Sequence, residues 1–200
     1  MINIISLIIG YLLGSINASI IISKFRGDDI RHHGSGNAGA TNTLRTYGKG
    51  IAALVTLFDI FKGIAAVLIA RYILKSEIGA LCAGLGAVLG HNFPLYFGFK
   101  GGKGILTSFA VILMISPLSA LCALVVAIIL MATTKYVSLG SVMAAVCIPI
   151  FTLIFEKGEE KVFALMLALA LLAIFRHRGN IVRLIKGTER KLGEKKQEAE

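Results

Sequence analysis

Ile-Leu-Thr-Ser-Phe-Ala-Val-Ile-Leu-Met-Ile-Ser-Pro-Leu-Ser-Ala-Leu-Cys-Ala-Leu-Val-Val-Ala-Ile-Ile-Leu-Met-Ala-Thr-Thr, residues 105–134, is an apolar run with Pro117 near its middle. At a helical rise of about 1.5 Å per residue, about twenty residues cross the hydrocarbon core of a bilayer. The run is therefore one long tilted helix or two helices that turn at Ser116-Pro117. The choice sets the side on which every later loop lies.

The remaining apolar segments cover residues 2–23, 51–74, 78–97, 138–155 and 162–175. Lys and Arg accumulate in the short loops on the cytoplasmic side. With a turn at Pro117 and the N-terminus outside, loops 24–50, 98–104 and 135–137 and the tail 176–200 hold 16 basic residues. The outer loops hold only Arg71, Lys75, Lys157 and Lys161. With a single long helix the split is 9 against 11, and the bias vanishes. The expected architecture is an all-α polytopic membrane protein with seven transmembrane helices, N-terminus outside and C-terminus cytoplasmic. Residues 1–190 form one seven-helix membrane domain, followed by a charged cytoplasmic tail, 191–200. The helices flanking Pro117 are expected to be short, with tilt or local thinning of the bilayer making up the length.

Composition agrees. The chain is 56% hydrophobic and only 16% charged, with a mean hydropathy of +0.81. Soluble domains carry about 25% charged and about 45–50% apolar residues. These values exclude a soluble, disordered, fibrous or disulfide-scaffold chain. The net charge of +10 is positional and argues against a nucleic-acid partner. Cys82, Cys122 and Cys147 lie in apolar runs without Cys-x-x-Cys spacing, as buried free thiols do. The first basic residue is Lys24, so the N-terminal run lacks the positive start of a cleavable signal and reads as a retained membrane helix.

In this topology every glycine-rich polar cluster faces the cytoplasm. The first loop contains Gly34-Ser35-Gly36-Asn37-Ala38-Gly39-Ala40-Thr41-Asn42, then Arg45. The second carries Gly90-His91-Asn92-Phe93-Pro94 and Gly98-Phe99-Lys100-Gly101-Gly102-Lys103-Gly104. The third holds Ser138 to Ser141, and the fourth is Arg176-His177-Arg178-Gly179-Asn180. Residues 34–39 match G-x-G-x-x-G but lack the βαβ setting of a dinucleotide fold. The stretch 98–104 is not a Walker A loop, which needs glycine at Phe97 and Ser or Thr at Gly104.

Glycines let backbone amides approach a ligand, and successive amides or helix N-termini bind anions. Gly101 and Gly102, with Lys100 and Lys103 beside them, suit phosphate; a tight turn bearing positive-inside lysines is the plainer reading. Ser35, Asn37, Thr41, Asn42 and Arg45 read singly as turn formers and caps. Together with Lys103, Ser141, His177 and Asn180 on the same face, they read as one polar pocket. Asp59 and Lys62 lie within an apolar segment at i, i+3 spacing, either as a structural ion pair or as a pocket wall. His91 sits where it can bond backbone, bind phosphate or act as a base. His32 and His33 lie in a basic loop and read as solvated. No Cys/His spacing suggests a metal.

The combination of Ser-Gly-Asn-Ala-Gly-Ala-Thr-Asn (35–42), Asp-x-x-Lys-Gly (59–63), Gly-His-x-Phe-Pro (90–94), Gly-Phe-Lys-Gly-Gly-Lys-Gly (98–104) and His-Arg-x-Asn (177–180) closely resembles the bacterial acyl-phosphate:glycerol-3-phosphate acyltransferases. The resemblance covers about residues 5–190, with the motifs in the family's order. It implies an integral enzyme of the bacterial inner membrane with a cytosolic active site and no cofactor. Such an enzyme moves a fatty acyl group from acyl phosphate to the 1-hydroxyl of sn-glycerol 3-phosphate, releasing lysophosphatidic acid and inorganic phosphate. The partners are then these two substrates and membrane lipid; a monomer is compatible with this reading, which leaves the oligomeric state open.

The His-x4-Asp pair of other glycerol-phosphate acyltransferases is absent, since Asn37, Ala38, Tyr96 and Val182 stand five after the four histidines. Acyl phosphate is already activated, so a phosphate oxygen of the donor can take the hydroxyl proton. Orientation and charge stabilisation are then the protein's contribution. Arg45, Lys103 and His177 are expected to balance phosphate charge, with Ser35, Ser141 and Asn180 as hydrogen-bonding positioners. Asn37 and the amides around Gly101 and Gly102 would hold the donor phosphate and polarise its carbonyl. His91 is the base if the protein supplies one. The main alternative is a small anion or phosphate transporter, although transporters place sites at the midplane between repeats and no internal repeat is visible. A membrane scaffold binding anionic lipid through 178–192 ranks third and leaves the polar clusters unexplained.

Overall fold

The protein, seen in a computed structural model that describes residues 1–194, is all-helical among those residues. In chain order the helices are α1 (Ile2–Ser15), α2 (Ala18–Phe25), α3 (Ala40–Tyr47), α4 (Lys49–Leu68), α5 (Glu77–Asn92), α6 (Ile105–Ile115), α7 (Pro117–Thr134), α8 (Val137–Phe155), α9 (Glu160–Arg176) and α10 (Arg178–Ile185). Five segments are long and apolar enough to cross a membrane: Ile2–Phe25, Lys49–Ile73, Glu77–Phe97, Pro117–Thr134 and Val137–Phe155. Helices α9 and α10, bent by 58° relative to each other, meet the same criterion only when taken together.

The run 105–134 does break at Ser116-Pro117. Proline at the first position of α7 has no amide hydrogen to lose, and the Ser116 and Ser119 hydroxyls bond at 2.8 Å across the turn. The two halves are unequal, however. Helix α7 has 18 residues and is a full span, whereas α6 has only 11, about 16 Å at the helical rise. Shortness belongs to α6 alone.

The first apolar run is also broken. Asn17 caps α2, its Oδ1 accepting from the Ile20 amide at 3.2 Å and the Ser19 hydroxyl at 2.8 Å, while its Nδ2 donates to the Ala38 carbonyl at 3.2 Å. The Ile16 carbonyl at this break accepts from the Lys62 ammonium at 3.1 Å. Hydropathy is blind to such a break, because one buried asparagine barely lowers the mean of a long window.

Helix α1 packs on α5 with almost no side-chain separation. A Cβ on Gly14 would lie 2.1 Å from the Ala87 carbonyl oxygen, and one on Gly86 would lie 2.3 Å from that of Leu7. The small face of α5 thus finds its partner within the same chain, as close packing between membrane helices requires. Replacing Gly86 by Val should force these backbones apart and destabilise the fold by about 2 kcal/mol or more. The check is a lowered midpoint of thermal unfolding in detergent.

A core of Val67, Ala83, Val88, Val111, Met166 and Leu169 joins α4, α5, α6 and α9. Leu57, Phe61, Ile128, Ile129, Leu153 and Leu171 are exposed on the outer faces, as suits a protein whose solvent there is lipid. The three cysteines are free thiols, each half-buried. Residues 191–194 are the described part of the tail expected from 191. The Leu192 amide donates to the Lys135 carbonyl at 2.8 Å, and the Lys191 ammonium lies 5.7 Å from the Tyr136 ring centre. Residues 195–200 of that expected tail lie outside the described residues.

Candidate functional site

At one end of the bundle a cavity of about 410 Å³ gathers residues from all four glycine-rich clusters. Ser35, Asn37, Thr41, Asn42 and Arg45 reach it from the first loop and α3, and Asp59 from α4. His91, Lys103, Ser141, His177 and Asn180 complete it. Lys62 does not line it, and neither do Gly101 and Gly102. The lining also includes the apolar side chains of Leu44, Ala52, Ala53, Leu106, Met131 and Val137. A second, more open cleft of about 830 Å³ adjoins it; Ser35, Asn37, Lys103 and Asn180 border both spaces. Arg31, Lys100, Arg176, Arg178 and Arg183 make this outer cleft basic.

The expected roles divide according to which polar atoms are already used. Asn42 is fully committed to its own loop: Oδ1 accepts from the Ser35 amide at 2.8 Å, and Nδ2 donates to the Ile30 and His33 carbonyls at 3.1 and 2.9 Å. It shapes the Ser35 turn, as a loop asparagine commonly does. By contrast the Ser35 hydroxyl and the Asn37 amide make no side-chain hydrogen bond among the described residues. Arg45 spends a single donor, 3.3 Å from the Arg190 carbonyl. The Ser141 hydroxyl donates to the Val137 carbonyl at 2.9 Å, so it must rotate to donate to a ligand. His33 pairs with Asp28 at 2.7 Å on the surface, away from the cavity.

The amides of Gly101 and Gly102, expected to hold a phosphate, are occupied. They donate to the Asn92 and His91 carbonyls at 3.2 and 3.1 Å. The glycines are needed for a different reason. A Cβ at Gly101 would lie 2.1 Å from the His91 carbonyl oxygen, and one at Gly102 would lie 2.0 Å from His91 Nε2. The free amides belong to the next residues, from Lys103 into the first turn of α6, whose positive end adjoins Gly104, Ile105 and Leu106 on the cavity wall.

Asp59, Lys62 and His91 form one buried cluster rather than a simple pair. Lys62 Nζ is 2.8 Å from Asp59 Oδ1 and 2.9 Å from His91 Nδ1, which is 3.3 Å from the same carboxylate oxygen. The cluster is both an ion pair and, through Asp59 and His91, part of the wall. His91 Nδ1 is thus turned to the ion pair, and Nε2 is packed against Gly102.

Lys103 meets Asn180 Oδ1 through its ammonium. Burial lowers the pKa of Lys103 to about 8, with the Arg183, Arg176 and Arg45 charges adding to the effect and Glu189 opposing it. His177 donates from Nδ1 to the Ala173 carbonyl at 2.8 Å, since a carbonyl can only accept. That bond assigns the tautomer and leaves Nε2 as the free ring nitrogen. Burial first and the Lys103 charge second favour the neutral ring.

Sequence reasoning missed Glu189. Its Oε1 accepts from Asn180 Nδ2 at 2.6 Å and from the Ser138 hydroxyl at 2.9 Å, and its Oε2 pairs with Arg183 at 2.7 Å. A glutamate in a tail of mixed charge reads as solvated; only the return of the chain after α10 buries it. Ser138 and Arg176 were likewise missed as members of the site.

Comparison with known proteins gives one answer. The sequence model of the family described as Glycerol-3-phosphate acyltransferase matches residues 4–187. A glycerol-3-phosphate acyltransferase of Thermoanaerobacter sp. (strain X514) is 49% identical over 189 residues, covering 94% of each chain. One of Shouchella clausii (strain KSM-K16) is 50% identical over 198 residues, covering 95% of this chain and 96% of the relative. Among solved structures, PlsY (YgiH), an integral membrane glycerol 3-phosphate acyltransferase, superposes in its glycerol 3-phosphate form with a TM-score of 0.88. That match is 38% identical and covers 96% of each chain.

Proposed function

The chain belongs to the glycerol-3-phosphate acyltransferase family and is an integral-membrane acyltransferase of phospholipid synthesis, and we propose that its donor is an acyl phosphate and its acceptor the 1-hydroxyl of sn-glycerol 3-phosphate. The observation that carries this reading is the pair of adjoining spaces that share Ser35, Asn37, Lys103 and Asn180. Two phosphorylated substrates need two anion-friendly compartments with a common border, and one of them needs an apolar wall for its chain. The solved PlsY structures, in a glycerol 3-phosphate form and a lysophosphatidic acid form, agree with that acceptor and product.

In the proposed mechanism the acceptor hydroxyl oxygen attacks the acyl carbonyl, and the carbonyl carbon to phosphate oxygen bond breaks. The departing phosphate takes the hydroxyl proton, leaving lysophosphatidic acid and hydrogen phosphate. Lys103, Arg45 and the free amides opening α6 balance the phosphate charge, with Ser35, Asn37, Asn180 and Ser141 as positioners. His177, neutral and with Nε2 free, serves a glycerol hydroxyl as hydrogen-bond acceptor better than it serves a phosphate as a cation. No protein base is required, because the leaving phosphate is itself basic enough. The proposed topology is seven passes with the N-terminus outside, the cavity opening to the cytosol of a bacterial inner membrane, and one chain forming the complete site.

The test is phosphate release from palmitoyl phosphate, with and without sn-glycerol 3-phosphate, in inverted and right-side-out membrane vesicles. Palmitoyl-CoA and palmitoyl-acyl carrier protein serve as alternative donors. Expected is acceptor-dependent release with stoichiometric lysophosphatidate, supported by the inverted vesicles only. Acceptor-independent release would indicate a hydrolase, and activity with a thioester alone would exclude the proposed donor. No turnover of any donor by folded protein would favour an anion transporter.

A further inference from the structure

Arg176, the last residue of α9, is absent from the inner cavity wall and lines the outer cleft. Its guanidinium is committed to the backbone of the glycine loop. Nε donates to the Gly102 carbonyl at 3.1 Å, and Nη2 donates to the Gly102 carbonyl at 2.7 Å and the Gly101 carbonyl at 3.3 Å. The same group stacks on the Phe93 ring at 5.0 Å.

The other side of this short peptide is held as well. The Gly101 and Gly102 amides donate to the Asn92 and His91 carbonyls. The His91 ring lies so close beneath Gly102 that a Cβ there would sit 2.0 Å from Nε2. His91 in turn is fixed by Lys62 and Asp59. The loop is held by the buried ion cluster through His91 and by Arg176 through its carbonyls, and the next residue it presents is Lys103.

We propose that Arg176 is a positioning residue for acyl transfer, holding the Gly101 and Gly102 carbonyls away from the inner cavity so that Lys103 and the free amides of α6 meet the substrate phosphate. A carbonyl oxygen turned inward would oppose an anion; tied to a guanidinium, its negative end is neutralised where it points. The fork geometry of arginine serves two neighbouring carbonyls and an aromatic face together, which a lysine ammonium cannot do. Arg176 also ties the loop to the helix end that carries His177.

This inference rests on the acyl-transfer reading, and one set of kinetics separates the two. Purified Arg176→Met should raise KM for one of the two phosphorylated substrates about tenfold, the loss of one charge-assisted hydrogen bond to a phosphate. It should also move the alkaline limb of kcat/KM to higher pH, since the Arg176 charge is among those that hold Lys103 down. Arg176→Lys should recover only part of the KM change. Lys186→Met, which removes an exposed charge just beyond α10, should change neither reading.

A folded Arg176→Met enzyme with wild-type KM for both substrates and an unmoved alkaline limb would overturn the proposal. So would a loss of turnover that merely tracks the folded fraction. If the methionine variant does not accumulate, Arg176→Lys decides by the same two readings. Inactivity of the wild-type enzyme would defeat the acyl-transfer reading itself.

Discussion

Lys103→Gln should lower kcat/KM for a phosphorylated substrate about 10²- to 10³-fold, mainly through KM, while leaving the fold intact. Lys103 brings the cation that opens α6, its ammonium rests on Asn180, and both residues border the two adjoining spaces. Replacing a charged donor to phosphate by a neutral one removes about 2–4 kcal/mol of selective stabilisation. Glutamine keeps most of the stem and a donor, so packing changes little. The wild-type enzyme should report the same group through pH. With the pKa of free Lys103 lowered to about 8, the charge is present below that pH and lost above it. The limb of kcat/KM should therefore fall about tenfold per unit on the alkaline side, since this parameter reports free-enzyme groups. Lys103→Arg should extend the plateau upward even where it lowers the maximum. A pH profile flat from 7 to about 9.5 in the wild type, or an unchanged KM in Lys103→Gln, would remove Lys103 from the phosphate site.

Gly102→Ala should cost two or more orders of magnitude in turnover, although it adds a single methyl group. That methyl would lie 2.0 Å from His91 Nε2 and 2.7 Å from the Ala38 carbonyl oxygen. The His91 ring cannot swing aside without breaking its contacts with Lys62 and Asp59. The loop must move instead, and displacing a catalytic group by about 1 Å can cost about 10²-fold. The same geometry separates the two readings of His91. If His91 is a wall, His91→Ala keeps substantial turnover at neutral pH and removes the closer of the two clashes of the new methyl group, leaving that with the Ala38 carbonyl. The double variant Gly102→Ala/His91→Ala should then exceed the product of the single effects, with a coupling of about 1–3 kcal/mol. If His91 were the general base, the second substitution would only deepen the loss. Steady-state kinetics on the three variants decides.

Much of the site is local in origin and can be read from the chain. Ser35, Asn37, Arg45, Lys103, Ser141, His177 and Asn180 stand out as chemistry-bearing residues at the ends of apolar segments, and charge asymmetry puts those ends on one face. Their convergence on one cavity requires only that antiparallel helices return them to the same side. Which atoms remain free is another matter. The Gly101 and Gly102 amides look available in a glycine-rich string, yet they are consumed by Asn92 and His91. Asn42 looks like a pocket residue and is a loop staple. Hydrogen bonds between residues far apart in sequence decide both cases, and no spacing rule encodes them.

Sequence alone establishes the membrane class, the helical content and the family, because hydropathy and an ordered set of motifs are properties of short stretches, whereas the turn at Ser116-Pro117 is legible only through the distribution of Lys and Arg over all the loops. Tertiary structure alone decided that the small face of α5 closes on α1, and that Asp59 and Lys62 acquire His91 as a third member. It alone brought Glu189 back to Asn180 and set Arg176 over the glycine loop. These are contacts between segments many residues apart. Their partners are selected by packing shape and by the cost of leaving a buried polar atom unpaired, which depend on where the whole chain has gone.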